Sequence, residues 1–170
     1  MVKYLPIVLL YSVILLLTQV LILNNIYLWG YINPFIYIFV IIMLPFEFTV
    51  WVSLVIAFLL GISVDFFSNT PGLHTAATLT MTYFRPSVLR LIAPREGYDS
   101  GTKPEIKEQG VMWYLRYTGF MVLIHHIFLF YLEVFSFSSF FETLFRVFVS
   151  WIFSMILIIL IQFLIQKPNN

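Results

Sequence analysis

The sequence predicts an all-α integral membrane protein with six transmembrane helices. Apolar residues make up 61% of the 170 residues and charged residues only 10%, whereas a soluble domain has about 45–50% and about 25%. A soluble fold could not cover so much apolar surface with so few charges. Six helices of about 20 mostly apolar residues would fill most of the chain and leave only short loops. We therefore expect one membrane domain over residues 1–170. The composition argues against a secreted protein, a nucleic-acid-binding protein and a soluble enzyme.

Apolar runs separated by turn residues define the six helices. They are predicted at residues 4–23, 26–44, 49–67, 73–92, 111–133 and 141–165. Asn24 and Asn25 favour a tight turn, and Thr70 followed by Pro71 is typical of a helix start. The second helix is the shortest and most irregular span. The fourth is the least hydrophobic, and its Thr and Ala residues are typical of a helix that packs among others.

Residues 94–110 form the only strongly polar segment, with mixed charges, Gly and Pro residues and no apolar period. They are predicted to be a loop on the cytoplasmic side. Two interpretations of this loop remain open. It is either a mobile segment that docks onto a cytoplasmic partner or a solvated connector, since long loops are often either functional or disordered.

Basic residues predict the orientation of the chain. With six spans and a cytoplasmic N-terminus, the C-terminus is cytoplasmic too, and Arg85 and Arg116 lie at the inner ends of their helices. Only Arg146 lies toward the outside. The other basic residues all fall on the inside, at Lys3, Arg90, Arg95, Lys103, Lys107 and Lys167. Lys and Arg are concentrated in cytoplasmic loops, so the reverse orientation is disfavoured.

A row of polar residues, here called the polar seam, crosses the third and fourth helices. Asp65 ends the third helix, and His74, Thr78, Thr82 and Arg85 follow at steps that place them on one face of the fourth. Such a seam either lines a cavity or proton path or fixes a helical hairpin by hydrogen bonds. We interpret it as structural. Asp65 can accept bonds from amides at the start of the fourth helix, and Arg85 can extend to lipid phosphate.

Two further groups of polar residues lie in the last two helices. His125 and His126 fall near the middle of the fifth helix, and Glu133 lies two turns from His126, about 10 Å along the helix. A proton relay or metal ligand is one interpretation of this candidate intramembrane pair, and structural hydrogen bonding is the favoured one. Glu142 and Arg146 are four residues apart in the favourable acid-first order and form a candidate ion pair. Arg146 could instead pair with Glu133 on the adjoining helix.

The sequence has no catalytic motif. It contains no Gly-x-Ser-x-Gly, no P-loop, no His-Glu-x-x-His and no cysteine, so serine-elbow, nucleotide, zinc-protease and thiol chemistry have no basis. The intramembrane serines lack the glycine-flanked setting of a membrane protease. We expect no enzyme activity, no cofactor and no metal site.

Short segments along the whole chain carry a family resemblance. They are residues 24–25 with 30–34, 44–47, 61–65, 70–74, 83–86, 94–98 and 125–126 with 131–133. In this order and spacing, within six predicted spans, they resemble the rod shape-determining protein MreD family. The resemblance implies a bacterial inner-membrane scaffold for cell-shape determination by the elongation complex. It implies that the chain binds MreC and links MreB filaments to peptidoglycan synthases.

The same resemblance also implies a fold and a competing function. The MreD family is similar in fold to the substrate-binding subunits of energy-coupling-factor transporters. The alternative is therefore a small-molecule-binding subunit of such a transporter. Those subunits typically present small residues on the first helix to their coupling partner. The first helix here contains no Ala and no Gly, which favours the scaffold.

Overall fold

The computed structural model describes residues 2–26, 32–99, 101–135 and 139–165. These residues are all-helical and contain no β-strand. Their α-helices, in chain order, are α1 (Leu5–Leu21), α2 (Phe39–Ile42), α3 (Val50–Ser68), α4 (Leu73–Leu91), α5 (Ile106–Gln109), α6 (Val111–Val134) and α7 (Phe140–Ile165). The five long helices begin and end within two residues of the predicted bounds. Lys167, one of the basic residues used for the orientation, lies outside the described residues.

Four helical stretches of the described chain are long and apolar enough to cross a membrane. They are Leu5–Asn25, Val50–Ser68, Val111–Val134 and Phe140–Ile165. The chain therefore has the character of a membrane protein. The fourth predicted span is α4, a continuous helix of 19 residues. It is not among the four, because its buried face carries threonines, a histidine and an arginine.

The predicted second helix, residues 26–44, is wrong over residues 32–44, which the structure describes. Residues 27–31 lie outside the described part, and between residues 32 and 44 only Phe39–Ile42 form one α-helical turn. Apolar residues alone cannot distinguish a buried helix from buried irregular chain. Here residues 37–42 are at most 1% exposed, so protein surrounds them on all sides. Non-helical backbone is tolerated at membrane depth only in such surroundings.

Residues 32–48, here called the central segment, pass through the middle of the helix bundle. We name the two ends of the bundle after residues of α1 and its flanking turns: the Lys3 end, where α1 starts, and the Asn24 end, where it finishes. At the Asn24 end, Asn33 lies beside Arg146 and Ser150 in the first half of α7. At the Lys3 end, Pro45 lies beside the start of α1. The central segment is therefore the core around which α1, α4, α6 and α7 are arranged.

The long helices pack as a chain of neighbours: α1 contacts α3, α3 contacts α4, α4 contacts α6, and α6 contacts α7. The helices α3 and α4 approach each other closely at Gly61. A Cβ placed on Gly61 would lie 2.6 Å from Thr75 Cα and 3.2 Å from His74 O. Glycine is therefore required at this crossing, as is common where membrane helices approach closely.

The predicted loop, residues 94–110, is anchored at the Lys3 end. The Tyr98 ring stacks on Phe46 with 4.4 Å between ring centroids, and its hydroxyl donates to Leu89 O at 2.7 Å. Burial raises the pKa of this hydroxyl above its ordinary value, so the hydroxyl stays protonated to a higher pH than that of an exposed tyrosine. Ile106 in α5 is also buried. These contacts hold part of the loop against the bundle, and docking of the loop onto a partner stays a prediction.

Candidate functional site

Asp65 joins the end of α3 to the start of α4. One carboxylate oxygen accepts from the Thr70 hydroxyl and the His74 amide, both at 2.9 Å. The other accepts from the Thr75 amide at 2.9 Å and the Thr75 hydroxyl at 2.6 Å. The expected acceptor role of Asp65 at the start of α4 is therefore observed. The prediction that Thr70 caps the start of this helix is wrong. The helix α4 begins after Gly72, and the Thr70 hydroxyl donates to Asp65 instead.

Tyr37 of the central segment is the hydrogen-bonding partner of the middle of the seam. Its Oη lies 2.6 Å from His125 Nε2, 3.1 Å from His74 Nδ1 and 3.2 Å from Thr78 Oγ1. The Thr78 hydroxyl donates to His74 O at 2.7 Å, so toward Tyr37 it acts as an acceptor. Thr82 bonds one turn further along, donating to Thr78 O at 2.7 Å. The seam therefore faces the central segment, away from lipid.

Arg85 is hydrogen-bonded to the central segment near the Lys3 end of the bundle. Its Nε donates to Tyr117 Oη at 2.7 Å, and its Nη2 donates to Leu44 O. Tyr117 in turn donates to Ile42 O at 3.1 Å. Arg85 is 4% exposed, so the expectation that it extends to lipid phosphate is wrong. The physical reason is that irregular buried backbone leaves carbonyl groups that need donors.

His126 does not pair with Glu133. Its Nδ1 lies 2.8 Å from Val122 O and its Nε2 lies 3.0 Å from Ser154 Oγ. Ser154 Oγ also accepts from the Phe35 amide at 2.9 Å. Its hydroxyl hydrogen is thus available to donate to Nε2, while Nδ1–H donates to the carbonyl. These hydrogen bonds connect His126 through Ser154 to the Phe35 amide of the central segment. The predicted His126–Glu133 pair is wrong.

Arg146 pairs with Glu133 on the adjoining helix. Its Nη1 lies 3.1 Å from Glu133 Oε2, and its guanidinium lies 4.4 Å from the Phe130 ring centroid. With the Asn33 amide oxygen turned toward it, Nη2 also donates to Asn33 at 2.9 Å. The candidate ion pair of Glu142 with Arg146 is wrong. The alternative partner Glu133 is confirmed, because α6 and α7 converge at the Asn24 end.

Three further side chains bind the central segment, and the sequence did not predict this role for them. Gln19 accepts from the Ile36 amide at 2.9 Å and donates to Pro34 O at 3.1 Å. Ser150 and Ser154 accept from backbone amides of the central segment at 3.0 and 2.9 Å. A lone amide inside apolar α1, and two serines four residues apart on α7, were the available signals. They mark helix faces that turn toward polar backbone.

Two cavities open at opposite ends of the bundle. The cavity at the Lys3 end has a volume of about 410 Å³ and is lined by Tyr4, Tyr11 and charged residues of the 94–110 loop. The cavity at the Asn24 end has a volume of about 540 Å³. Its polar lining includes Asn25, Asn33, Thr70, His74, Glu133 and Arg146. Within the described residues, no group of three or more His, Asp or Glu side chains is placed to hold a metal ion.

Comparisons of the chain with protein-family models, with curated proteins and with solved structures find no match.

Proposed function

We propose that the chain is a rod shape-determining protein of the MreD family. In this role it is a membrane scaffold of the bacterial inner membrane, not an enzyme. It binds MreC and links MreB filaments to the peptidoglycan synthases of the lateral-wall elongation complex. Two observations support this proposal. Short segments resemble the family in their order along the chain, and the buried polar residues bond to the protein's own backbone.

The observation that carries the proposal is the engagement of the seam with the backbone. Asp65 accepts four hydrogen bonds, two of them from amides at the start of α4. Arg85 and Tyr117 donate to carbonyls of the central segment. A satisfied buried network rigidifies a fold. A rigid bundle with these charges committed to its own backbone suits a scaffold that presents surfaces to other membrane proteins.

The proposal includes six crossings and a fold similar to that of energy-coupling-factor substrate-binding subunits. The central segment would be the second crossing and α4 the fourth, both shielded by neighbouring helices instead of facing lipid. Arg90, Arg95, Lys103 and Lys107 belong to the end of α4 and the loop that follows it. The positive-inside rule then assigns the Lys3 end to the cytoplasm.

Cysteine labelling tests this orientation. The chain has no cysteine, so single substitutions report one position each. We expect Glu96→Cys, in the loop after α4, to be labelled by a membrane-impermeant maleimide only from the cytoplasm. Asn69→Cys, in the α3–α4 turn, should be labelled only from the periplasm. Both side chains are exposed. Labelling of both positions from the same side would contradict an odd number of crossings between them.

Purification of the tagged protein from its native membrane tests the function. We expect MreC and wall synthases to copurify with it. Glu142→Gln, a substitution on the exposed start of α7, is a matched variant that should leave this recovery unchanged. Recovery of an ATPase-driven transporter core in place of MreC would contradict the scaffold and support the alternative, a small-molecule-binding transporter subunit.

A further inference from the structure

The cavity at the Asn24 end has the dimensions of a ligand site. Its volume of about 540 Å³ lies within the range of about 300–1,000 Å³ that is usual for small-molecule pockets. Its wall is made by α1, the central segment, the α3–α4 turn, α4, α6 and α7. Polar side chains and the apolar side chains of Phe67, Leu73 and Leu129 both line it.

His74 offers this cavity a ring nitrogen without a protein partner. The residue is 6% exposed and lines the cavity. Its Nδ1 is engaged by Tyr37 Oη at 3.1 Å. Its Nε2 has no hydrogen-bond partner among the residues that the structure describes. Nε2 is not one of the enclosed polar atoms that lack a partner, so it is open to the cavity and can bond to a solute there.

Glu133 and Arg146 place one negative and one positive charge in the same wall. The two side chains are 41% and 24% exposed and lie 3.1 Å apart. Their charges cancel, so an ion of a single charge gains attraction from one group and repulsion from the other. A molecule that carries both a carboxylate and an ammonium group can satisfy both residues at once.

We propose that this cavity binds a small amphoteric solute of the amino acid or short peptide class. The solute carboxylate lies against Arg146 and its ammonium lies against Glu133, while a polar group of the solute donates to His74 Nε2. Phe67, Leu73 and Leu129 contact its apolar part. This inference goes beyond the scaffold function and does not depend on it.

Binding to the purified full chain in detergent tests the proposal. The probes are glycine, L-leucine, L-glutamine and glycyl-L-leucine, with acetate, ethylammonium and glucose as comparison compounds. We expect at least one zwitterionic probe to bind, and the three comparison compounds to bind more weakly by about tenfold or more, the ratio expected when a charged hydrogen-bonding group is lost. Failure of every zwitterion to bind, or equal or tighter binding of a comparison compound, would overturn the proposal.

Variants locate the site. Arg146→Gln and Glu133→Gln should each weaken binding of the zwitterion by about tenfold or more, while Glu142→Gln should leave it unchanged. Unchanged binding in both wall variants contradicts the assignment. Alkylation of single cysteines gives a second readout that leaves the charged pair intact. The zwitterion should slow modification of Leu73→Cys, which lines the cavity, but not of Asn69→Cys in the same turn. Equal rates at position 73 with and without the zwitterion would also overturn the proposal.

Discussion

Replacing Gly61 with alanine is expected to destabilise the protein by about 1–3 kcal/mol, and replacing it with leucine by more. The added Cβ would lie 2.6 Å from Thr75 Cα and 3.0 Å from Thr75 N. These are backbone atoms, so no side chain can rotate away to make room. Relief requires α3 and α4 to separate, and separation would pull Thr75 away from Asp65. The measurement is the unfolding midpoint of the purified protein in a mild detergent.

Gly119 in α6 provides the matched control. A Cβ at Gly119 would meet Trp151 Cζ2 at 3.6 Å and Met155 Cε at 3.9 Å, which are ordinary contacts with side chains. Gly119→Ala should therefore be neutral or stabilising by up to about 1 kcal/mol, because alanine has the higher helix propensity. Equal losses of stability in the two alanine variants would show that the close crossing at Gly61 is not what limits the fold.

Replacing Asp65 with leucine should cost about 2–6 kcal/mol, because it leaves the His74 and Thr75 amides without their acceptor and each orphaned buried donor costs about 1–3 kcal/mol. Asp65→Asn keeps one acceptor oxygen but turns an NH₂ group toward donors. We expect a loss of about 1–3 kcal/mol for it. One retained oxygen is not sufficient, because each of the two Asp65 oxygens accepts two bonds in the structure.

The Asp65 variants also separate a structural role from a chemical one. Under the proposed scaffold function, a structural carboxylate predicts that protein level, partner recovery and growth as rods fall together. Thr70→Val, which removes only one donor to Asp65, should lower all three slightly. An Asp65→Asn protein present at normal level and bound to the proposed partner MreC, yet unable to support rod growth, would contradict the structural interpretation. That outcome would mean that the charge itself is used.

The candidate site could be predicted only in part. The sequence placed His74, Thr78, Thr82 and Arg85 on one face of α4, because the spacing of residues along a helix determines which of them share a face. All four are buried there. Their partners could not be read in the same way. Tyr37 lies in a stretch that was predicted to be a transmembrane helix, and nothing in its spacing distinguishes it from the neighbouring apolar residues.

Composition and helical periodicity by themselves determined the membrane character of the chain and the bounds of the five long helices. Both depend on local properties, namely the apolar length of a segment and the residues that end it. Only the tertiary structure decided the conformation of the central segment, the burial of Arg85 and the choice of Glu133 over Glu142 by Arg146. Each of these depends on which groups of distant elements meet. The buried backbone carbonyl of Leu44 accepts a hydrogen bond from Arg85, because an unsatisfied polar group is costly wherever water is excluded.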